Sequence, residues 1–256
     1  MKKMTNEELD IAKTLAVNAY NDVLSPIAKQ AGTTLEEVGK LIFAPIFYPS
    51  KILNLRIENW FKRIESEINK ENLIEADPAI TISTLQNLVL HQDESFLGEM
   101  FFNILKSSVD KTQQCNLSPA FPKILEQLTT DECIFLVLLN DKSYKFNRNF
   151  DLNMKNLETK NIQILVNELP MEKFNFSENL WIYKEHLEHL NLLKYKDYKE
   201  PDMSDDDFEN NQNITEFAEF RLTEFGKMFC KICVSAKCYS MLNQFENKKM
   251  NTGNGD

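Results

Sequence analysis

The stretch LLKYKDYK at residues 192–199 and its counterpart FAEFRL at residues 217–222 decide the fold that the sequence predicts. Apolar and polar residues alternate in both stretches, which is the pattern of a β-strand with one buried face. A helix is predicted before them, at residues 177–190, and a closing helix after them, at residues 223–242. A helix, a two-stranded antiparallel ribbon and a second helix, in this order, predict a winged-helix-like C-terminal part.

The sequence before this part predicts mostly helices. Thr5 with Glu8, and Thr34 with Glu37, have the spacing of a capping box, so each pair begins a helix. Further helices are predicted at residues 50–69, 79–91, 93–111 and 118–128, and the run CIFLVLLN at residues 133–140 is predicted to be a buried helix core. Between residues 142 and 169 the pattern loosens, and stretches such as NIQILVNEL fit a strand or a helix equally well.

These elements predict a mainly α protein, with a helical N-terminal body followed by a winged-helix-like part that contains a short antiparallel β-ribbon. The predicted domains are a helical N-terminal domain (1–115), a winged-helix-like C-terminal domain (116–245) and a flexible tail (246–256).

Composition excludes several classes of protein. The 256 residues are 43 % hydrophobic and 11 % aromatic, which is ample for a folded core. The net charge of -10 repels nucleic acid and anionic membranes, so that any such contact would have to be local. The N-terminus has no apolar signal-peptide core and the five cysteines are an odd number, so we expect a cytoplasmic protein.

The sequence predicts neither catalysis nor a cofactor. It has no phosphate-binding glycine loop, no nucleophile elbow and no H-E-x-x-H motif, and none of its three histidines lies beside a nucleophile motif. A zinc site is one alternative, built from His186, His189, Cys230, Cys233 and Cys238. Because this Cys-x-x-Cys pair lies inside a long apolar helix, where free cysteine packs as a small hydrophobe, we predict no metal.

Two groups of residues are candidates for binding a protein partner. Glu99, Asn103 and Ser107 recur every four residues and Asp110 follows one turn later, so they form one ridge of a helix. This ridge fits a solvated surface or an internal hydrogen-bond ladder as well as a binding site. The second candidate is the acidic segment at residues 199–213, predicted to be a mobile loop, in which Asp205, Asp206 and Asp207 would attract a basic partner.

Two other functions remain open. A winged helix that regulates transcription would bind DNA, but residues 194–221 hold four basic and nine acidic residues, so DNA binding would need a different face. A membrane-acting toxin would use residues 41–61 as an amphipathic segment, although such an apolar stripe is more typical of a core, and membrane contact is not favoured.

Seven short motifs, in order along the chain, resemble the Abi-alpha family, the abortive infection alpha proteins of bacteria and their mobile elements. They are VLSPIAKQAG (23–32), LIFAPIFYPSKI (41–52), LIEADPAITISTLQNL (73–88), DESFLGEMFFNILKSSVDK (93–111), NLSPAFPKILEQLTTDE (116–132), EHLEHLNLL (185–193) and EFRLTEFGKMFCKIC (219–233). The resemblance implies a cytoplasmic, mostly helical protein that defends against phage by the sacrifice or arrest of the infected cell. It implies no catalytic residues. We therefore predict an antiphage protein that acts by binding a protein of the phage or the host.

Overall fold

The structure, a computed structural model, describes residues 50–75, 77–153, 158–203 and 211–252. The helices predicted within residues 1–49 lie outside the described residues, and so do Asp205, Asp206 and Asp207. The chain forms two compact units, Met1–Gln127 (unit 1) and Leu128–Asp256 (unit 2). The predicted domain limits at residues 115 and 246 stay a prediction.

Unit 1 is built from helices in its described part. They are α1 (Ser50–Glu67), α2 (Pro78–Leu90), α3 (Phe96–Ser108) and α4 (Phe121–Leu125). The helices predicted at residues 50–69, 79–91 and 93–111 are therefore confirmed. The helix predicted at residues 118–128 is shorter than expected: it covers only Phe121–Leu125, and Thr129 then caps the next helix.

Local sequence explains where α2 and α3 begin. The Asp77 carboxylate accepts hydrogen bonds from the backbone N–H groups of Ala79 and Ile80, and Pro78 occupies the first helical position, where its missing N–H is not needed. Ser95 caps α3 in the same way by accepting from the Gly98 N–H. Helix α3 is the centre of the core of unit 1, since Met100, Phe101 and Ile104 have no exposed surface.

Unit 2 begins with helix α5 (Thr130–Asp141). Its capping box joins Thr129 and Glu132, each of which bonds the other's backbone N–H. The prediction of a buried helix core is confirmed, because the side chains from Cys133 to Leu139 are all at most 5 % exposed.

The rest of unit 2 is organised by a four-stranded antiparallel sheet in the order β2-β1-β4-β3. The strands are β1 (Tyr144–Asn153), β2 (Glu158–Asn167), β3 (Leu193–Met203) and β4 (Asn211–Leu222), and helix α6 (Leu180–His189) lies between β2 and β3 in sequence. The two strands predicted at residues 192–199 and 217–222 are confirmed as parts of β3 and β4. The undecided segment at residues 142–169 forms the other two.

The fold is therefore mixed α/β, and the prediction of a mainly α, winged-helix-like protein is wrong. The predicted short ribbon is one half of a larger sheet, because β1 pairs with β4 along its whole length. The sequence concealed β2 because two register shifts interrupt its pairing with β1, and such irregularities break the alternation of a strand. The left-handed Asn161 (φ 52°) lies at one of them.

The two faces of the sheet differ, because successive side chains of a strand point to opposite sides. One face carries the buried Phe146, Ala218 and Phe220 and packs on helices, with the Phe220 and Phe135 ring centroids 5.4 Å apart. We name the other face the open face. Its members on the two central strands and β3 include Lys145, Lys194, Lys196, Lys199, Phe217, Glu219 and Arg221.

The predicted closing helix is two helices, α7 (Glu224–Cys233) and α8 (Ala236–Thr252). Val234 has an extended backbone and ends α7, so the chain turns before α8 begins. Helix α7 starts at Thr223, whose hydroxyl accepts from the Gly226 N–H and donates to the Asn191 carbonyl. This arrangement brings α7 against the backbone just before β3.

Candidate functional site

The predicted ridge on α3 lies inside unit 1. Glu99, Asn103 and Ser107 are 0 %, 2 % and 4 % exposed. The two carboxylate oxygens of Glu99 each accept a hydrogen bond of 2.7 Å from the Arg63 guanidinium. Asp110 lies half-buried at the end of the ridge and accepts from the Thr112 N–H and hydroxyl. A partner would not reach the buried members without a change in structure, and their role in binding stays a prediction.

Arg63 connects this ridge to two further groups. Its guanidinium carbon lies 3.8 Å from the ring centroid of Phe102, and its Nε donates to Glu67 at 2.7 Å. Burial opposes ionisation of Glu67, but hydrogen bonds from Lys106 and Arg63 outweigh it and lower the pKa of that carboxyl. The cluster joins α1 and α3 by charge, with Glu99 buried and with Arg63, Glu67 and Lys106 partly exposed at the border of the core.

Two buried carboxylates, Asp131 and Glu132, lie in the first turn of α5. Asp131, 2 % exposed, accepts hydrogen bonds from the backbone N–H groups of Asn175 and Phe176, from the Asn175 amide and from the Tyr183 hydroxyl. Its neighbour Glu132 lies 2.5 Å from Nδ1 of His186. These partners lie more than 40 residues away in sequence, so no local pattern marked them. Their contacts tie α5 to α6 and the segment before it.

The zinc alternative finds no support within the described ranges, where no group of three or more His, Cys, Asp or Glu side chains is placed to hold a metal. His186 instead contacts Glu132, and His189 is exposed. Cys230, Cys233 and Cys238 are fully buried, and burial raises the pKa of the Cys230 and Cys233 thiols. These cysteines therefore belong to the core of unit 2.

The segment proposed for membrane contact lies partly outside the described residues. In its described part, Ile57, Trp60 and Phe61 are at most 8 % exposed, and the Trp60 indole N–H donates to Asp93. These three side chains therefore face the core of unit 1, whereas Leu55 is 58 % exposed. Among the described helices, none has the length and apolar character needed to cross a membrane.

Strand β2 is the most exposed apolar feature of the described chain. All ten of its residues are exposed, and it lies at an edge of the sheet, so one row of its backbone groups faces away from β1. Four of its side chains are large and apolar: Ile162, Ile164, Leu165 and Val166, which are 55 %, 57 %, 49 % and 37 % exposed. We name this strand with these four side chains the β2 edge.

The opposite edge of the sheet has a different character. Strand β3 carries exposed lysines at positions 194, 196 and 199, and such charges keep an edge strand from pairing with other chains. The β2 edge has no charge between Lys160 and Glu168. Of the two edges, only β2 therefore combines exposed backbone with an apolar surface.

Comparison with protein families gives one match. The family model described as Abortive infection alpha matches residues 53–233, which is more than half of the chain. The chain belongs to the abortive infection alpha family. No curated protein and no solved structure matches it.

The part of this abortive infection protein that matches its family runs from within α1 to the last residue of α7. It contains the Arg63–Glu99 pair, the buried carboxylates Asp131 and Glu132, and the β2 edge. The family points to a role in phage defence by abortive infection. It assigns no chemistry to any residue, so the features of the surface carry the functional argument.

Proposed function

We propose that this protein acts in abortive infection by binding a protein partner at the β2 edge, without catalysis of its own. The single observation that supports this proposal is the exposure of a whole strand that bears four large apolar side chains. Large apolar patches on the surface of a folded protein mark sites that bind other proteins, membranes or ligands.

An extended segment of a partner fits this surface. A strand added to a sheet edge gains affinity from main-chain hydrogen bonds, and specificity from contacts with alternate side chains. Ile164 and Val166 offer apolar contacts on the two opposite faces of the strand, because the register shift at Leu165 lies between them, while Lys160 and Glu168 flank this stretch with one charge of each sign. We therefore expect an apolar strand or loop from a phage or host protein. The acidic segment with Asp205, Asp206 and Asp207 favours a partner that is basic outside this strand.

A phage challenge tests the proposal. Cells that carry the gene should be protected at a low multiplicity of infection and collapse at a high one, relative to cells with an empty vector. The variant Ile164→Lys should lose this protection, because an ammonium group at the centre of the β2 edge must be desolvated when a partner binds.

The matched control is Leu90→Lys, which places the same charge on an equally exposed apolar position, 62 % against 57 %, in unit 1. This control should protect as well as the wild type. Full protection by Ile164→Lys, at wild-type protein levels, would contradict a role of the β2 edge. Loss of protection in both variants would point to a general effect of added charge.

A further inference from the structure

The open face of the sheet in unit 2 has a charge opposite to that of the chain. The chain carries a net charge of -10, yet five cationic side chains lie around Glu219 on the open face, while Asp151 on the same face lies at the far end of β1, opposite Asn213. The cations are Lys145, Lys194, Lys196, Lys199 and Arg221. The four lysines are exposed, and 42 % of the Arg221 side-chain surface is exposed as well.

The excess of acidic residues between positions 194 and 221 does not describe this face, because residues from both sides of the sheet contribute to that count. Of the acidic residues within these strands, Asp197 is paired with Ala218 and Glu216 with Arg148, so both side chains point to the side of the sheet opposite the open face. Sorting the side chains by the two-residue period of a strand leaves the cations on the open face. The face is therefore locally basic within an acidic protein.

Two of these cations occupy an unfavourable arrangement. Lys194 and Arg221 are directly opposite each other on β3 and β4, and like charges at such positions repel. Arg221 has a long contact with Glu219 at 3.6 Å, and the Glu224 carboxylate, which also pairs with Lys227, is close enough to attract Lys194. A bound anion between them would relieve this repulsion.

The basic surface continues into a depression of about 530 Å³ at one end of the open face. Lys194 and Arg221 line it together with Lys142 and Lys227, and the first turn of α7 forms part of its wall. Its acids are Asp141 and Glu224, and Glu224 is already paired with Lys227 at 2.8 Å. The depression therefore extends the path that a chain of phosphates would follow.

Phe217 adds an aromatic ring to this surface. It lies on central strand β4, is half-buried, and has the Lys199 ammonium 4.2 Å from its ring centroid. A ring that accepts a cation on its face can also stack on a nucleobase. An open β-sheet face with cations around an aromatic residue suits unstacked bases, whereas a duplex is recognised by an element that enters its groove.

We propose that the open face binds single-stranded nucleic acid. Lys194, Lys196 and Arg221 hold phosphates, and Phe217 stacks on a base after Lys199 moves from the ring to a neighbouring phosphate. This activity is independent of partner binding at the β2 edge, because it uses β3 and β4 in place of β2, and cationic side chains in place of aliphatic ones.

Fluorescence anisotropy tests the proposal with the full chain and a labelled RNA of about 12 nucleotides, which is within the range that one such surface covers. The RNA should bind at 50 mM salt. With four phosphate contacts, affinity should fall by about 50-fold between 50 and 200 mM salt. Unlabelled duplex DNA of the same length should compete poorly.

The decisive variant is Lys194→Glu/Lys196→Glu, which should weaken binding more than about tenfold. Its matched control is Lys62→Glu/Lys123→Glu, which makes the same change in net charge at two lysines of unit 1 that are 72 % and 69 % exposed. The control should change affinity less than about threefold, because long-range effects of charge are screened. Lys194→Gln/Lys196→Gln repeats the test without adding acids to the sheet.

Phe217→Leu separates stacking from charge and should weaken binding about tenfold. No binding of RNA at 50 mM salt, or equal binding by the lysine variants and the wild type, would overturn the proposal. Equal binding by Phe217→Leu would overturn the stacking role. Binding to phosphatidylserine vesicles but not to RNA, lost in the same lysine variants, would assign the face to a membrane instead.

Discussion

At the scale of single residues, the chain places charge inside its core with full pairing. Arg63 and Glu99 show the pattern, since the carboxylate has no exposed surface and the guanidinium meets it with two hydrogen bonds of 2.7 Å. Such a pair is weak support for stability by itself, but loss of one partner is costly because the other charge stays buried. The pair therefore fixes the packing of α1 on α3.

Arg63→Met should lower the free energy of unfolding by about 3 to 5 kcal/mol, because it leaves the Glu99 carboxylate buried without Arg63. Urea denaturation followed by circular dichroism measures the change. Arg63→Met/Glu99→Gln should recover part of the loss, since the buried negative charge is then gone. A single-variant loss under about 1 kcal/mol would mean that Glu99 reaches solvent or takes up a proton at little cost.

The sequence predicted which residues share a helix face but not which partners those residues bond. The four-residue recurrence of Glu99, Asn103 and Ser107 predicted a polar ridge, and the ridge exists. Its direction into the core was not predictable, because that depends on Arg63, which lies 36 residues earlier. Asp131 and Glu132 are a parallel case, because their partners Tyr183 and His186 lie 52 and 54 residues later.

At the scale of elements, close contacts between backbones position α7. A methyl group on Gly226 would lie 2.0 Å from the carbonyl oxygen of Leu192, which is backbone and has little room to move. The Thr223 cap and this glycine together set the first turn of α7 against the chain that enters β3. The helix can therefore begin there only with glycine at this position.

Gly226→Ala should destabilise the protein by about 2 to 3 kcal/mol, although alanine is the better helix former, because the overpacked backbone must shift. Thermal denaturation measures the effect. Lys227→Ala, at the exposed neighbouring position, should change the melting temperature little. An unchanged or raised stability of Gly226→Ala would show that α7 moves away from Leu192 without cost.

The elements that the sequence predicted correctly have a clean period. Strands β3 and β4 alternate regularly over residues 192–199 and 217–222, and α5 carries the apolar run at residues 133–140. Strand β2 was undecided because its register shifts at Asn161 and Leu165 break the alternation, and because both of its faces are exposed. Apolar and polar residues alternate along a strand only when one of its faces is buried, and neither face of β2 is buried.

At the scale of the whole molecule, each unit has its own core. In unit 2 the aromatic rings of Phe135 and Phe146 both contact that of Phe220, and the cap of α5 lies within this unit too. The charges of the molecule are also unevenly placed, since a chain with an excess of acids presents a basic sheet face. The average composition therefore predicted the class of protein but not its surfaces.

A fragment that starts at Leu128 and ends at Asp256 should unfold cooperatively, because the sheet and its helices bury their apolar side chains against each other. Denaturation followed at the near-ultraviolet signal of Trp181 reports on this unit alone. A fragment with a sloping transition and no fixed aromatic signal would show that unit 2 needs unit 1 to fold. Phe135→Ala within the fragment is the control that should abolish the transition.

The β2 edge limits the concentration at which a cell can hold this protein without aggregation. An exposed apolar edge strand can pair with the same strand of another copy or with an unfolded chain, and this aggregation becomes faster as the protein concentration rises. Higher expression should therefore increase the share of protein found in inclusion bodies. A host that carries the gene between infections is therefore best served by sparse synthesis. Overproduction from a strong promoter should slow growth even in the absence of any virus.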